Sequence, residues 1–185
     1  NALRKDFQII FQNPYESLSP RFTVKDIVAE PLRLLNVLSK EDEIHQKVIN
    51  ELNNVGLVPA EDFLHRYPHE LSGGQRQRVS VARAFVVDPE FIVADEPVSM
   101  LDVSIRVGIL ETMKHVAEKK GTAFILITHD LALARVMCDR IGVMYLGRIV
   151  EKGPTEAIIG SSLHPYTQAL ITAVPKPDPD ATRTE

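Results

Sequence analysis

A single cysteine, Cys138, occurs in 185 residues. A disulfide framework needs pairs and a thiolate metal site needs several ligands, so neither can be built within this chain, and a reducing, cytoplasmic setting fits. Long apolar runs are also absent. None approaches the ~18 to 20 uninterrupted residues of a membrane-spanning helix, and no basic, apolar, small-residue leader precedes the first motif. Positive charge is scarce as well: 21 Lys and Arg against 25 Asp and Glu leave a net charge of −4 and a pI near 5.9. Such a surface lacks the basic field that holds nucleic-acid phosphates, and nucleic acid is not an expected partner.

What is present is the composition of a folded domain. Hydrophobic residues make up 44% and charged residues 25%, enough for one sizeable core or a core with a small subdomain. The opening Asn1-Ala2-Leu3-Arg4-Lys5 has no initiator Met and runs directly into Phe7-Gln8-Ile9-Ile10-Phe11, which reads as an internal cut.

Three apolar runs, Phe7 to Phe11, Phe91 to Ala94 and Ala123 to Ile127, are expected to be strands. The last two lack alternation, as parallel strands covered on both faces do. Between them Val103 to Lys120 has helical apolar spacing at Val103, Val107, Leu110 and Val116 and stops before Gly121, which implies a parallel crossover. Thr23-x-x-Asp26 has the form of a capping box, with Phe22 and Ile27 placed as a staple. Ser39-x-x-Asp42 opens a second helix, with Ile44, Val48, Leu52 and Val55 on its apolar face and Gly56 at its end. These two helices suggest a helical subdomain. After Ile141 a hairpin is expected with its turn near Leu146-Gly147, then short helices. The end, with prolines at 175, 177 and 179, cannot continue a helix and reads as an extended tail.

Three segments carry candidate chemistry. Leu71-Ser72-Gly73-Gly74-Gln75 starts a helix with Ser72 as N-cap and Gln75 as its capping-box partner. Two adjacent glycines weaken a first turn by roughly 1 kcal/mol each, which a cap alone gives no reason to accept. They do let an anion approach exposed N–H groups at the positive end of the helix dipole. Phe91-Ile92-Val93-Ala94-Asp95-Glu96 delivers two carboxylates at a strand's carboxyl end, where open α/β sheets bind ligands. One can hold Mg²⁺ and the next can orient or deprotonate an attacking water; a solvated strand end is the plain alternative. Ile127-Thr128-His129-Asp130 ends the next strand. There His129 is either a site residue or an ordinary polar one, and Asp130 a candidate cap for the following helix. Gln12 follows the first strand, where its amide oxygen can reach a metal.

Together these residues resemble the nucleotide-binding domain of ABC ATPases, over about Gln8 to Asp180. Leu71 to Gln75 is similar to the LSGGQ signature, Phe91 to Glu96 to the Walker B strand, and Ser99-Met100-Leu101-Asp102 to the D-loop. His129 is similar to the switch histidine and Gln12 to the Q-loop glutamine. The implied fold is α/β, a P-loop NTPase-like parallel sheet with an inserted helical subdomain, incomplete at the N-terminus. Residues 1–160 would be a partial nucleotide-binding domain, with the helical subdomain at about 13–87 and core strands at about 7–12 and 88–160. Residues 161–185 would be a C-terminal extension.

The resemblance also implies roles and partners. Asp95 would position Mg²⁺, Glu96 would be the general base, and His129 would contact the γ-phosphate of ATP. Gln12 would join the Mg²⁺ shell and report nucleotide state to a transmembrane permease. Ser72, Gly73, Gly74 and Gln75 would complete the site of a second ATPase subunit, with Asp102 at that dimer interface. Gln12 to Arg21 and His164 to Asp178 narrow the resemblance to oligopeptide/dipeptide importer ATPases, a group that includes nickel importers. A subunit of this kind sits at the cytoplasmic face of the membrane and is served indirectly by an extracytoplasmic binding protein. Two departures stand out: Met100 replaces a commonly small D-loop residue, and nothing matches G-x-x-x-x-G-K-[ST], whose amides and lysine cradle phosphates. The 185 residues alone are therefore expected not to hydrolyse ATP, and a non-catalytic truncated protein acting as an interaction module is the alternative.

Overall fold

Three short apolar segments pair in parallel in the computed structural model, which describes residues 2–13 and 17–173. Part of the Gln12–Arg21 stretch and the proline-rich end lie outside the described residues. The chain divides into two compact units, residues 1–127 and 128–185.

In the first unit a short helix α1 (Ala2–Asp6) leads into β1 (Phe7–Ile10), which pairs with β2 (Phe91–Asp95), which pairs with β3 (Ala123–Ile127). Ile9 lies opposite Val93 and Val93 opposite Ile125, so the three share one face. That face is open: Phe7, Ile9, Ile125 and Ile127 are 44–51% exposed. On the other face Ile10, Ile92 and Ala94 are fully buried. The expectation that both faces of β3 are covered is thus corrected. Its run of uniformly apolar residues carries no chemical alternation from which a covered face can be told apart from an open one.

Between β1 and β2 the chain is helical: α2 (Val24–Leu34), α3 (Glu41–Asn54), the short α4 (Glu61–Leu64), a 3-10 turn at Pro68–Glu70, and α5 (Gly73–Phe85). Helices α2, α3 and α5 pack on one another, and α5 also lies against β1. Thr23 caps α2 by accepting from the Asp26 amide. The capping box is only half made, however, because the Asp26 carboxylate accepts from the Thr23 hydroxyl, and Phe22 stays 48% exposed rather than stapled inside. Helix α3 begins after Lys40, not at Ser39, and has no side-chain cap. Glu41, Asp42 and Glu43 in its first turn favour the dipole's positive end instead. Its apolar face is as expected: Ile44, Val48, Leu52 and Val55 are at most 1% exposed, and Gly56 follows with φ +78°.

Helix α6 (Val103–Lys120) has the expected bounds and ends at Gly121, φ +68°, a left-handed cap that favours glycine. Its buried stripe differs from the expected one. Ile109, Leu110, Met113, Val116 and Ala117 are buried, whereas Val103 and Val107 are 74% and 46% exposed. On the side of Val103 and Val107 the first two turns are left uncovered by the rest of the unit.

A charge cluster, buried at Glu51 and Lys120 and open to solvent at Asp88, joins the helical segment to the end of α6. Lys120 Nζ donates to Glu51 Oε2 at 2.6 Å, to Asp88 Oδ1 at 2.7 Å and to the Phe85 carbonyl at 2.8 Å, while Lys47 pairs with Asp88 from the other side. Glu51 is 1% exposed, and a carboxylate so buried is tolerable only when paired.

The second unit contains α7 (Leu131–Met137), the antiparallel strands β4 (Arg140–Tyr145) and β5 (Arg148–Pro154), α8 (Thr155–Ser161) and α9 (Pro165–Thr172). The hairpin turns at Leu146 and Gly147, both with positive φ, as a type I′ turn requires. Glu151 accepts from the amides of Leu163 and His164, fixing the approach to α9. No described helix is long and apolar enough to cross a membrane.

Candidate functional site

The two carboxylates of interest lie at the carboxyl end of the central strand. Asp95 is the last residue of β2, opposite Ile127, and is exposed. Glu96 follows with φ +43°, a left-handed backbone that costs an ordinary L-residue about 1–2 kcal/mol. Its amide donates to the Ile127 carbonyl at 2.9 Å, and its own carbonyl accepts from both the amide and the hydroxyl of Ser99. Such a conformation persists where neighbours over-determine it. Gln12 comes from the end of the adjacent strand, and its Nε2 donates to Glu96 Oε2 at 2.9 Å. Three of the sequence-selected residues therefore meet at one strand end.

Their chemistry suits a hard cation. Carboxylate and amide oxygens are the donors Mg²⁺ takes, and Mg²⁺ is usually held by one or two carboxylates together with waters and substrate phosphates. No described group of three or more His, Cys, Asp or Glu forms a complete protein cage.

The signature segment starts α5 as expected. Ser72 Oγ accepts from the Gln75 amide, and Gln75 Oε1 accepts from the Ser72 amide at 2.9 Å, a complete capping box. Val79, Val81, Ala82 and Phe85 are buried behind it. The reading of the glycines changes. A Cβ on Gly74 would lie 3.0 Å from Ile105 Cγ2, and one on Gly73 3.3 Å from Leu101 Cδ2. Close packing against the D-loop and α6 is thus a structural reason for both, which local propensity alone does not reveal.

Asp102 is the N-cap residue of α6, exposed, and makes no side-chain cap bond. Met100 beside it is 61% exposed. His129 belongs to the second unit, exposed, just before α7; Asp130 caps that helix by accepting from the amides of Ala132 and Leu133.

Two residues escaped the sequence reading. Arg106 Nε donates to the Leu101 carbonyl at 2.8 Å and Nη2 to the Ser99 carbonyl at 3.2 Å, clamping the D-loop. Arg83 Nη2 pairs with Glu30 Oε2 at 2.7 Å, tying α5 to α2. For Arg106 a signal existed: a cation in a helix's first turn opposes the dipole, so it needs another partner.

An acidic pair at the end of a central parallel strand, a glutamine from the neighbouring strand and a glycine-led helix packed on the loop that follows define an ATP-binding-cassette fold. The sequence model of the ABC transporter family matches residues 1–99, just over half of the chain, and the chain belongs to that family. The model described as the oligopeptide/dipeptide transporter C-terminal region matches residues 150–185. The chain is 49% identical over 179 residues to the oligopeptide transport ATP-binding protein OppF of Bacillus subtilis, covering 97% of this chain and 58% of that protein. It is 46% identical to OppF of Escherichia coli, covering 97% and 53%. The chain thus spans little more than half the length of these curated relatives. Among solved structures, the dimeric post-hydrolysis state of the ATP-binding cassette MJ0796 bound to ADP and Pi matches with a TM-score of 0.70 and 30% identity, over 82% of this chain and 64% of that one. The fold is α/β of the P-loop NTPase type, with a parallel sheet.

Proposed function

We propose that these residues serve the ATP-hydrolysing subunit of an ABC importer that takes up oligopeptides or dipeptides. The observation that carries this reading is the meeting of Asp95, Glu96 and Gln12 at the end of β2, with Gln12 hydrogen-bonded to the Glu96 carboxylate. The match of residues 150–185 to the peptide-transporter C-terminal region supports the cargo class. In this reading residues 13–87 are the helical subdomain that faces the permease, residues 7–12 and 88–160 the catalytic core, and residues 161–185 the peptide-importer extension.

Glu96 accepts the proton of the attacking water, and its braced backbone fixes where that carboxylate points. Asp95, with the amide oxygen of Gln12, would hold Mg²⁺. The ion, when bound, supplies neutralisation of the charge building on the phosphates. Because Gln12 contacts Glu96, a change at the nucleotide is felt at the start of the segment leading to α2. Ser72, Gly73, Gly74 and Gln75 offer a helix N-terminus to the terminal phosphate held by a second ATPase subunit, with Asp102 at the same interface. The family resemblance gives His129 the role of contacting the γ-phosphate. The subunit works as a dimer on the cytoplasmic side of the permease. The 185 residues hold no G-x-x-x-x-G-K-[ST] loop, so by themselves they do not turn ATP over.

Steady-state Mg·ATP hydrolysis tests the reading, measured on the full-length subunit, its Glu96→Gln variant and the 185-residue chain. Turnover by the full-length subunit alone, lowered at least about 10²-fold by the substitution, supports it. Turnover undiminished by Glu96→Gln removes Glu96 from the chemistry.

A further inference from the structure

We infer that Arg106 is a positioning residue for Glu96, acting through the backbone of Ser99. The inference rests on the reading of Glu96 as general base and adds the element that keeps it aimed.

Glu96 holds a left-handed backbone, φ +43°, and is not glycine. Something must over-determine that conformation. One side is fixed by its amide on the Ile127 carbonyl at 2.9 Å. The other is fixed by Ser99, whose amide and hydroxyl both reach the Glu96 carbonyl, at 3.2 and 3.1 Å. Ser99 lies on a tight loop, closed further on by the Leu101 amide on the Val98 carbonyl at 3.1 Å.

Two carbonyls of that loop, Ser99 and Leu101, are held by the two prongs of a single guanidinium. Arg106 Nη2 reaches Ser99 and Nε reaches Leu101. A lysine offers one point charge where this fork offers planar donors at fixed spacing. The position is otherwise unfavourable for a cation, in the first turn of α6 at the positive end of its dipole. The loop is also pressed from outside, with Leu101 packed toward Gly73 of the signature helix. Arg106 thereby links the loop that meets the signature helix to the backbone of the carboxylate.

A brace of this kind acts on the orientation of Glu96 and not on nucleotide affinity. In the full-length subunit assembled with its permease, kcat and KM for Mg·ATP and the thermal midpoint are measured for the wild type, Glu96→Gln, Arg106→Met, Arg106→Lys and Ser99→Ala. Arg106→Met should lower kcat by about 10- to 100-fold while KM changes by less than about twofold. Arg106→Lys should recover part of the loss. In the Glu96→Gln background Arg106→Met should change residual turnover by no more than about twofold, since no base remains to be aimed. Ser99→Ala, which removes only the hydroxyl on the Glu96 carbonyl, should cost about fivefold in kcat, and Arg106→Lys, which keeps a cation but loses the fork, decides the matter through its own kcat loss if Arg106→Met does not fold.

An unchanged kcat in Arg106→Met, or a loss just as large without Glu96, overturns the inference and leaves the general-base reading standing. Full activity in Glu96→Gln overturns both.

Discussion

The helical segment and the sheet of the first unit are closed to different degrees. Helices α2, α3 and α5 bury their apolar faces against one another, with Leu32, Ile44, Leu52 and Phe85 at most 1% exposed. The sheet buries one face and leaves the other open, with Phe7, Ile9, Ile125 and Ile127 roughly half exposed. An amphipathic helix declares its buried side through period, and a neighbour with a matching stripe closes it. A uniformly apolar strand has two candidate faces, and packing alone chooses between them. The helical segment should therefore carry stability, while the strand end of the sheet carries chemistry.

The largest effect expected from that contrast is catalytic. Glu96→Gln in the full-length subunit should reduce kcat by about 10²- to 10⁴-fold, the usual contribution of a general base, with unfolding by urea unchanged. A stability loss of equal standing would break the division. Next come paired truncations on the two sides. Phe85→Ala should cost about 3–5 kcal/mol by urea unfolding, because its cavity lies among closed helices. Ile125→Ala on the open face should cost less than about 1.5 kcal/mol, since much of that side chain is already in water. Equal costs would mean that the face is covered in solution.

The charge cluster sharpens the same comparison. Lys120→Met leaves Glu51 buried without its partner and should cost about 3 kcal/mol or more, and adding Glu51→Gln should restore part of it. Burial opposes ionisation of Asp88, but hydrogen bonds from Lys120 and Lys47 outweigh it and hold its carboxyl below the ordinary value. A depressed value in the folded state contributes stability above the unfolded pKa of about 3.9 and loses it as pH falls through the folded one. Acid unfolding of the Lys120→Met variant should accordingly show a weaker dependence in that window. The smallest effect is at the signature: Ser72→Ala removes one acceptor of a complete capping box and should cost about 1 kcal/mol, read by the same denaturation.

Much of the site was legible because its residues sit beside strong local signals. Asp95 and Glu96 end an apolar run, and Ser72 with Gln75 has the spacing of a capping box that the structure contains in full. The bounds of α6 and the turn at Leu146-Gly147 were equally plain, one from a terminating glycine and the other from a dipeptide suited to positive φ. The misses were contacts across sequence distance. Glu51 is buried on a helix whose apolar spacing gives no sign of it, and its partner Lys120 lies 69 residues on. Val103 and Val107 looked like core, yet they lie on a side of α6 that nothing among the described residues of the first unit covers.

The sequence by itself determined the three strands, most of the helices, the family the motifs belong to, and the side chains on which the proposed chemistry rests, because period, caps and acidic strand ends act over a few residues. Tertiary structure decided the rest: which sheet face is open, why Gly73 and Gly74 admit no Cβ without displacing Leu101 and Ile105, and which arginine braces the backbone of Glu96. Those depend on surfaces meeting, and no window of neighbouring residues contains both sides of such a contact.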